Sequence, residues 1–208
     1  TIPTLPDQLE LIINLYLAGY TYPEMAVKMS IHERKKITYG QVRGLFTKAK
    51  IELESQIKTF KSQKNYDTLV HYIYDLGKIS ILKSKPIDDA IQLSKDISKS
   101  TKNNTSLSRL NLELAKLHFE QSDLQKAYVY AELAKKHAEQ NPNKNLLVEA
   151  EYYLGDYSMK LGNIPNLEKH IRNAHSLIEQ NKNKPYTISA RVFNLMGAVM
   201  YFSSKQDS

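Results

Sequence analysis

The residues able to do chemistry are spread out in a way that speaks against a reaction centre. Of the six histidines, His32 lies in a basic stretch, while His71, His118, His137, His170 and His175 fall on separate predicted helices. No two stand four apart beside a carboxylate, the spacing a helical zinc site uses. Each is expected to be structural, at the surface or partly buried. The chain has no cysteine, which excludes thiolate ligands, a thiol nucleophile and disulfides. Its seven glycines are dispersed among turns and packing steps and never form a phosphate-cradling loop. Asp88-Asp89 reads as a helix start whose carboxylates complement the dipole. Neither an enzyme nor a cofactor or metal is expected.

The cations, by contrast, are concentrated. Arg34, Lys35, Lys36, Arg43, Lys48 and Lys50 are opposed between positions 33 and 50 only by Glu33. The formal charge of the whole chain, +7, admits an acidic partner but does not require one. No apolar run approaches the length that crosses a bilayer, and the first residues lack the pattern of a signal peptide. The expected setting is the cytoplasm, with no membrane partner.

Three helices must position the basic stretch. Asp7 caps the first, with Leu9, Ile12, Ile13, Leu15, Tyr16 and Leu17 on its apolar side, and Ala18-Gly19 stops it. Thr21-Tyr22-Pro23-Glu24 has the form of a capping box with proline in the first turn, opening a short helix with Met25, Ala26 and Met29. A loop over 30–37 follows. Thr38 then caps a third helix in which Val42, Leu45, Phe46 and Ala49 recur at helical spacing. At 100° per residue, Gly40, Arg43, Gly44 and Thr47 take the opposite side. Two glycines there cost about 1 kcal/mol each against alanine, which points to a need for close backbone approach. A duplex would meet Arg34, Lys35, Lys36, Thr38, Tyr39, Gly40, Gln41, Arg43, Gly44, Thr47, Lys48 and Lys50. Phosphate contacts would position the unit, with Arg43, Thr47, Gln41 and Tyr39 in reach of base edges.

Residues 15–30, Leu-Tyr-Leu-Ala-Gly-Tyr-Thr-Tyr-Pro-Glu-Met-Ala-Val-Lys-Met-Ser, resemble the helix-turn-helix phrase of bacterial regulators of the sigma-factor region 4 and LuxR type. In that phrase the residue at Ala26 is small because the third helix crosses it. The connection over His32 to Ile37 is longer than usual for that family, and closer to Myb-like and terminase-like modules.

Beyond position 50 the third helix runs on through Leu53, Ile57 and Phe60 as a stiff linker over 51–64. Four similar steps follow: Leu76-Gly77, Leu114-Ala115, Leu154-Gly155 and Met196-Gly197. The small residues are 38, 40 and 42 positions apart, a period that signals stacked helical hairpins. Helices are predicted at about 65–83, 87–99, 105–121, 123–140, 144–161, 166–180 and 186–203, separated by Pro, Gly and Asn breakers. The last, Tyr186 to Ser204, reads as the first helix of a hairpin, and the missing initiator Met adds to the expectation of a longer protein.

Leu114, Ala115, Phe119, Ala127, Ala131 and Ala134 resemble a tetratricopeptide repeat; in the next unit Gly155 and Ala174 match, with Leu167 replacing the middle small residue. The resemblance implies an all-α fold, with a three-helix head over 1–50 and a right-handed superhelical array over 65–208. By that likeness the first helix of each hairpin lines a concave groove. His71, Tyr74, Lys78, Arg109, Lys116, Glu149, Tyr152, Asp156, Arg191, Asn194 and Tyr201 then face it. Aromatics with charges of both signs suit a peptide or protein segment. The whole is similar in architecture to bacterial helix-turn-helix transcription regulators with tetratricopeptide domains, such as the peptide-responsive quorum-sensing regulators. That similarity implies double-stranded DNA, a peptide or protein effector, and a homodimer. Two other classes remain open: a helical-repeat adaptor whose first helices only cap the array, and a Myb-like nucleic-acid-binding phage or plasmid protein.

Overall fold

In the computed structural model, residues 7–34, 36–82, 86–140, 144–180 and 186–206 are described, and among them all regular structure is helical. Helix α1 (Asp7–Leu17) buries Leu9, Ile12 and Ile13. It ends at Gly19, whose φ of 85° lets Tyr20 N–H reach back to the Leu15 carbonyl; an L side chain resists that backbone conformation. Helix α2 (Tyr22–Glu33) starts as predicted: the Glu24 carboxylate accepts both the Thr21 N–H and its hydroxyl at 2.7 Å.

The end of α2 differs from the sequence reading. The helix continues through Ser30, Ile31, His32 and Glu33, and only 34–38 connect it to the next. The connection is therefore shorter than the sequence suggested. Ser30 explains the extension, because its hydroxyl donates to the Ala26 carbonyl at 2.7 Å and accepts the Ile37 N–H at 2.8 Å. Arg34 closes the helix at φ 51°, a left-handed position usually marked by glycine.

Helix α3 (Tyr39–Ser62) is unbroken over 24 residues, about 36 Å at 1.5 Å per residue. Its first half buries Val42, Phe46 and Ala49, as α2 buries Met25 and Met29, and Tyr16 packs on Phe46 with ring centroids 4.1 Å apart. The segment read as a linker forms its second half, where Leu53 and Phe60 are buried. Phe60 stacks on Tyr72 of α4 (Tyr66–Leu82), and the Tyr72 hydroxyl donates to Gln56 at 2.9 Å. Thr1–Ala90 make up one compact unit and Ile91–Ser208 a second. Helix α5 (Asp88–Ser100) opens with Asp88 and Asp89 in its first turn, as expected.

The second unit contains α6 (Asn104–Glu120), α7 (Leu124–Glu139), α8 (Asn145–Lys160), α9 (Ile164–Gln180) and α10 (Tyr186–Gln206). Neighbours in sequence pack on each other, and α8 also touches α6 and α10. Two short turns make this possible, with Ser122 and Gly162 at positive φ. The small residues act as close-packing points. Ala115 joins Ala127, Ala131, Leu154 and Tyr157 in one cluster. Gly155 lies so near α9 that a β-carbon would stand 2.5 Å from Ile171 Cδ1. Leu167, the departure from the repeat pattern, is fully buried among Val148, Ile171, Ala174, Val192 and Val199. Each such side chain contributes about 1.5–3 kcal/mol by leaving water.

His118 and His170 are buried, deeper than the surface or partly buried places foreseen for them. His118 stacks on Tyr130 at 5.1 Å, and its Nδ1 lacks a hydrogen-bond partner. Burial holds its imidazole below the ordinary value of 6.5, against the pull of Asp123. The unfolded chain therefore binds this proton more readily, and stability falls as pH drops through 6.5 toward the folded value. His137, also lowered by burial, acts in the same direction. His118→Leu is expected to flatten the urea midpoint between about pH 7 and pH 5; an unchanged slope would show that other groups dominate.

Candidate functional site

In the first unit the basic surface is built on one edge of α3. Val42, Phe46 and Ala49 turn inward, so Gly40, Arg43, Gly44, Thr47 and Lys48 emerge together on the exposed side. A β-carbon added at Gly40 or Gly44 would meet nothing within 4 Å. Neither glycine is required by packing or by a positive φ. Beside them a pocket of about 360 Å³ is lined by Gln8, Ile37, Gln41, Gly44 and Leu45.

The other head residues divide by what already engages them. Arg34, Lys36 and Thr38 are exposed, and Lys35 lies outside the described residues. The Gln41 amide oxygen accepts the Thr38 N–H at 2.8 Å and its hydroxyl at 3.0 Å, which leaves only its NH₂ for another partner. The Thr47 hydroxyl donates to the Arg43 carbonyl at 3.0 Å. Tyr39 is half exposed and set edge-on to Tyr22, with centroids 5.7 Å apart. Burial raises the Tyr22 phenol, and the nearby Arg43 charge opposes that rise. Lys50 pairs with Glu54 at 3.1 Å. Sequence reasoning missed the pocket residues Gln8, Ile37 and Leu45, and also Val27 and Ile31, which stand 61 % and 74 % exposed on α2.

In the second unit part of the predicted groove set does converge. Lys116 reaches Glu113 at 3.1 Å and Glu149 at 3.4 Å, with its ammonium 5.4 Å from the centre of the Tyr153 ring. Tyr152 and Tyr153 meet edge to face at 5.1 Å. Burial raises the Glu113 carboxyl, with Lys116 the chief opposing charge and Arg109 a further one. Burial also raises Asp156, opposed by Lys160 and Arg191. Arg109, Lys116, Glu149, Tyr152, Asp156 and Arg191 thus share one electrostatic neighbourhood. Glu113 and Tyr153 belong to it although the sequence reading did not name them. Tyr152 is partly committed to the core shared by α8, α9 and α10.

The remaining groove residues are elsewhere. Asn194 and Tyr201 are exposed on α10. His71, Tyr74 and Lys78 lie on α4 of the first unit, where His71 is exposed, Tyr74 half-buried and Lys78 buried.

A buried polar network centred on Glu151 was not foreseen, although His170 was expected to be structural. Glu151, 3 % exposed, accepts from His170 Nδ1 at 2.6 Å, Lys135 Nζ at 2.9 Å and Asn173 Nδ2 at 3.3 Å. His170 Nε2 lies 3.2 Å from the Tyr128 hydroxyl, which faces a pocket of about 270 Å³ together with Asn166 and Lys169. An Nδ1–H given to the carboxylate leaves Nε2 to face the Tyr128 hydroxyl. Every member of this chain has a partner, which suits a structural network better than a reacting one.

Among the described residues no group of three or more His, Cys, Asp or Glu is placed to hold a metal, and no helix is long and apolar enough to cross a membrane. Comparison of the chain with protein-family models, curated proteins and solved structures returns no match.

Proposed function

We propose that the chain is a duplex-DNA-binding regulator, its first three helices forming a helix-turn-helix head and its second unit a tetratricopeptide-like array that takes a peptide or protein segment. The observation that carries the reading is the bare Gly40–Gly44 edge of α3, flanked by Arg34, Lys36, Arg43 and Lys48 with no acidic residue between Arg34 and Ile51. A glycine pair on an exposed helix edge is unfavourable for the helix and unused by packing, yet it lets a backbone come close to a phosphate or a base edge. The converging charges and phenols around Lys116 and Tyr152 support the segment-binding part.

The test is fluorescence anisotropy with random-sequence duplex DNA across a salt series. Four phosphate contacts give a slope of log affinity against log salt near −3.6, or about 100-fold weaker binding between roughly 50 and 200 mM salt. Arg34, Lys35, Lys36 and Arg43 changed together to alanine should abolish the slope with the fold intact. Equal affinity of both proteins would instead favour an adaptor, a reading that the exposed Val27 and Ile31 on α2 also supports.

The glycines offer a second discrimination. Gly40→Ala and Gly44→Ala meet no steric obstacle, so together they should stabilise α3 by about 1–2 kcal/mol. On the proposed reading the same pair weakens DNA binding at least tenfold. Stabilisation with unchanged binding would sink the close-approach argument.

A further inference from the structure

Helices α7 and α9 both pack on α8 but, among the described residues, not on each other. A groove runs between them, with Leu154, Ser158 and Leu161 of α8 along its floor. At about 100° per residue these lie across α8 from Glu149, Tyr152 and Asp156, so the groove is distinct from the Lys116 neighbourhood. One side chain crosses it. Tyr128 of α7 brings its hydroxyl to 3.2 Å from His170 Nε2 and 3.5 Å from Asn166 Nδ2, both on α9. The bridge divides the groove into two pockets of about 270 Å³ each, which share Tyr128 and Asn166. Together they reach the size of small-molecule sites, roughly 300–1,000 Å³. Every described lining residue falls between Gln125 and His170, within three successive helices.

Beneath the groove the packing is polar where helices usually meet through apolar side chains. Ser158, Glu151 and His170 are 1 %, 3 % and 4 % exposed. Replacing a buried ionic group by apolar residues is often neutral or stabilising, so stability alone does not account for this one. What the network does locally is hold Tyr128. Glu151 fixes the His170 ring through Nδ1 at 2.6 Å, and the other ring nitrogen meets the hydroxyl at the junction of the two pockets. A lining residue locked by a buried shell is how a precise site is built.

The two ends of the groove differ in chemistry. At one end the lining carries no charge, and Gln125, Asn163 and Asn166 bring side-chain amides to it. Gln125 keeps both its donor and its acceptor, and Asn163 keeps its NH₂ while its oxygen accepts the Asn166 N–H at 3.1 Å. At the other end Lys136 of α7 and Lys169 of α9 face each other, with Glu132 and Glu139 beside them. Lys135 is already held by Glu151 and Glu139. Lys136, Lys169 and Glu132 are in no ion pair among the described residues. A matching ligand carries both charges close together at one end and a neutral hydrogen-bonding group at the other. A carboxylate fits between the two lysines, an ammonium beside Glu132, and an amide opposite Gln125 and Asn163. A charged side chain would meet no counter-charge at the neutral end.

We infer that the groove between α7 and α9 binds a free α-amino acid with an amide side chain, glutamine or asparagine, its carboxylate between Lys136 and Lys169 and its side chain reaching past Tyr128 to Gln125 and Asn163. Glu151 and His170 are positioning residues that act through Tyr128. The site goes beyond the regulator reading and does not rest on it. Gln125, Lys136 and Lys169 stand exposed to water, so binding is weak, with a Kd of about 0.1–1 mM.

Thermal melting of the full chain with each standard amino acid in turn tests the class. At about 10 mM, glutamine or asparagine should raise the melting temperature by about 3–8 °C, and the others by less. Equilibrium dialysis of labelled glutamine then reads the site. Lys136→Gln and Lys169→Gln together, which break no ion pair, should weaken binding at least tenfold. Tyr128→Phe keeps the ring, and with its folding checked by circular dichroism should weaken binding about threefold to tenfold. N-acetylglutamine and the α-amide of glutamine, each lacking one charge, should also bind at least tenfold more weakly. A melting point that no amino acid moves, or that all move alike, would overturn the assignment. So would a shift given only by amino acids with charged side chains, parent affinity in the lysine pair, or capped forms that bind as well as the free one. No DNA is present in any of these measurements, so this site and the DNA-binding reading fail separately.

Discussion

Glu151→Ala is expected to destabilise the second unit by about 3–5 kcal/mol, a large share of the 5–15 kcal/mol by which domains are usually stable. The carboxylate holds together three helices. Lys135 reaches it from α7 at 2.9 Å, and His170 and Asn173 from α9 at 2.6 and 3.3 Å. Removing it leaves the Nδ1 of an imidazole that is 4 % exposed without its partner, and a lysine without its buried counter-charge. The loss of charge compensation dominates over the cavity, and Glu151→Gln separates the two. It keeps the volume and one acceptor oxygen, so about half the effect should return. Thermal melting reads the difference as a fall of roughly 10–20 °C for the alanine variant. A third variant asks whether the network stabilises at all. Lys135→Met, Glu151→Leu and His170→Leu together replace the ionic group by an apolar one, which is often neutral or stabilising. A melting point near the parent's would identify the network as a specifier of helix pairing.

The pH dependence follows from the same contacts. Burial pushes the Glu151 carboxyl up, but the hydrogen bonds from His170 and Lys135 outweigh it and hold the carboxyl below its ordinary 4.5. Its stabilising share is therefore complete above pH 4.5 and lost as pH falls below that value through the folded one. The difference in urea midpoint between parent and Glu151→Gln should narrow only in that acidic window. Constant separation down to about pH 3 would show that the carboxylate's ionisation contributes nothing.

Periodic features were legible in the sequence and cross-helix chemistry was not. The helices of the second unit could be placed because breakers such as Asn103 and Gly162 bracket runs of apolar residues at helical spacing. The packing steps at Ala115 and Gly155 could be placed because they recur. The end of α2 was set too early, because Ser30-Ile31-His32-Glu33 has no punctuating residue and the left-handed closing position is an arginine. The network around Glu151 joins residues 19 positions away at His170 and, through that ring, 42 positions from it to Tyr128. No local pattern marks such a group, since each member alone reads as an ordinary surface residue of an amphipathic helix. The basic stretch at 34–50 was visible as composition, yet the commitment of Gln41 to a cap and of Lys50 to Glu54 required geometry.

Gly155→Ala and Gly197→Ala are expected to act in opposite directions despite occupying matching places in α8 and α10. Each gains up to about 1 kcal/mol of helix propensity. At Gly155 the new methyl would stand 2.5 Å from Ile171 Cδ1 and 2.7 Å from Cγ1, closer than non-bonded carbons approach. Cδ1 is the end of its side chain, but Ile171 is fully buried among Leu167, Ala174 and Val192 and has little room to turn. The clash must move α9 against α8, at an overpacking cost of about 1–3 kcal/mol. Net destabilisation of about 1–2 kcal/mol remains after the propensity gain. Gly155→Val adds a second branch and should cost more than 3 kcal/mol. At Gly197 nothing lies within 4 Å, so the alanine variant should be stabilised. The cause can be isolated by a cycle. Ile171→Ala alone opens a cavity and costs about 2–5 kcal/mol; in the Gly155→Ala background the new methyl fills part of that space. The double variant should therefore be at least 1 kcal/mol more stable than additivity predicts. Strict additivity would mean that the glycine is kept for a reason other than the approach of Ile171. A coupling of the expected sign would tie the forty-residue periodicity of the sequence to one contact between two helices.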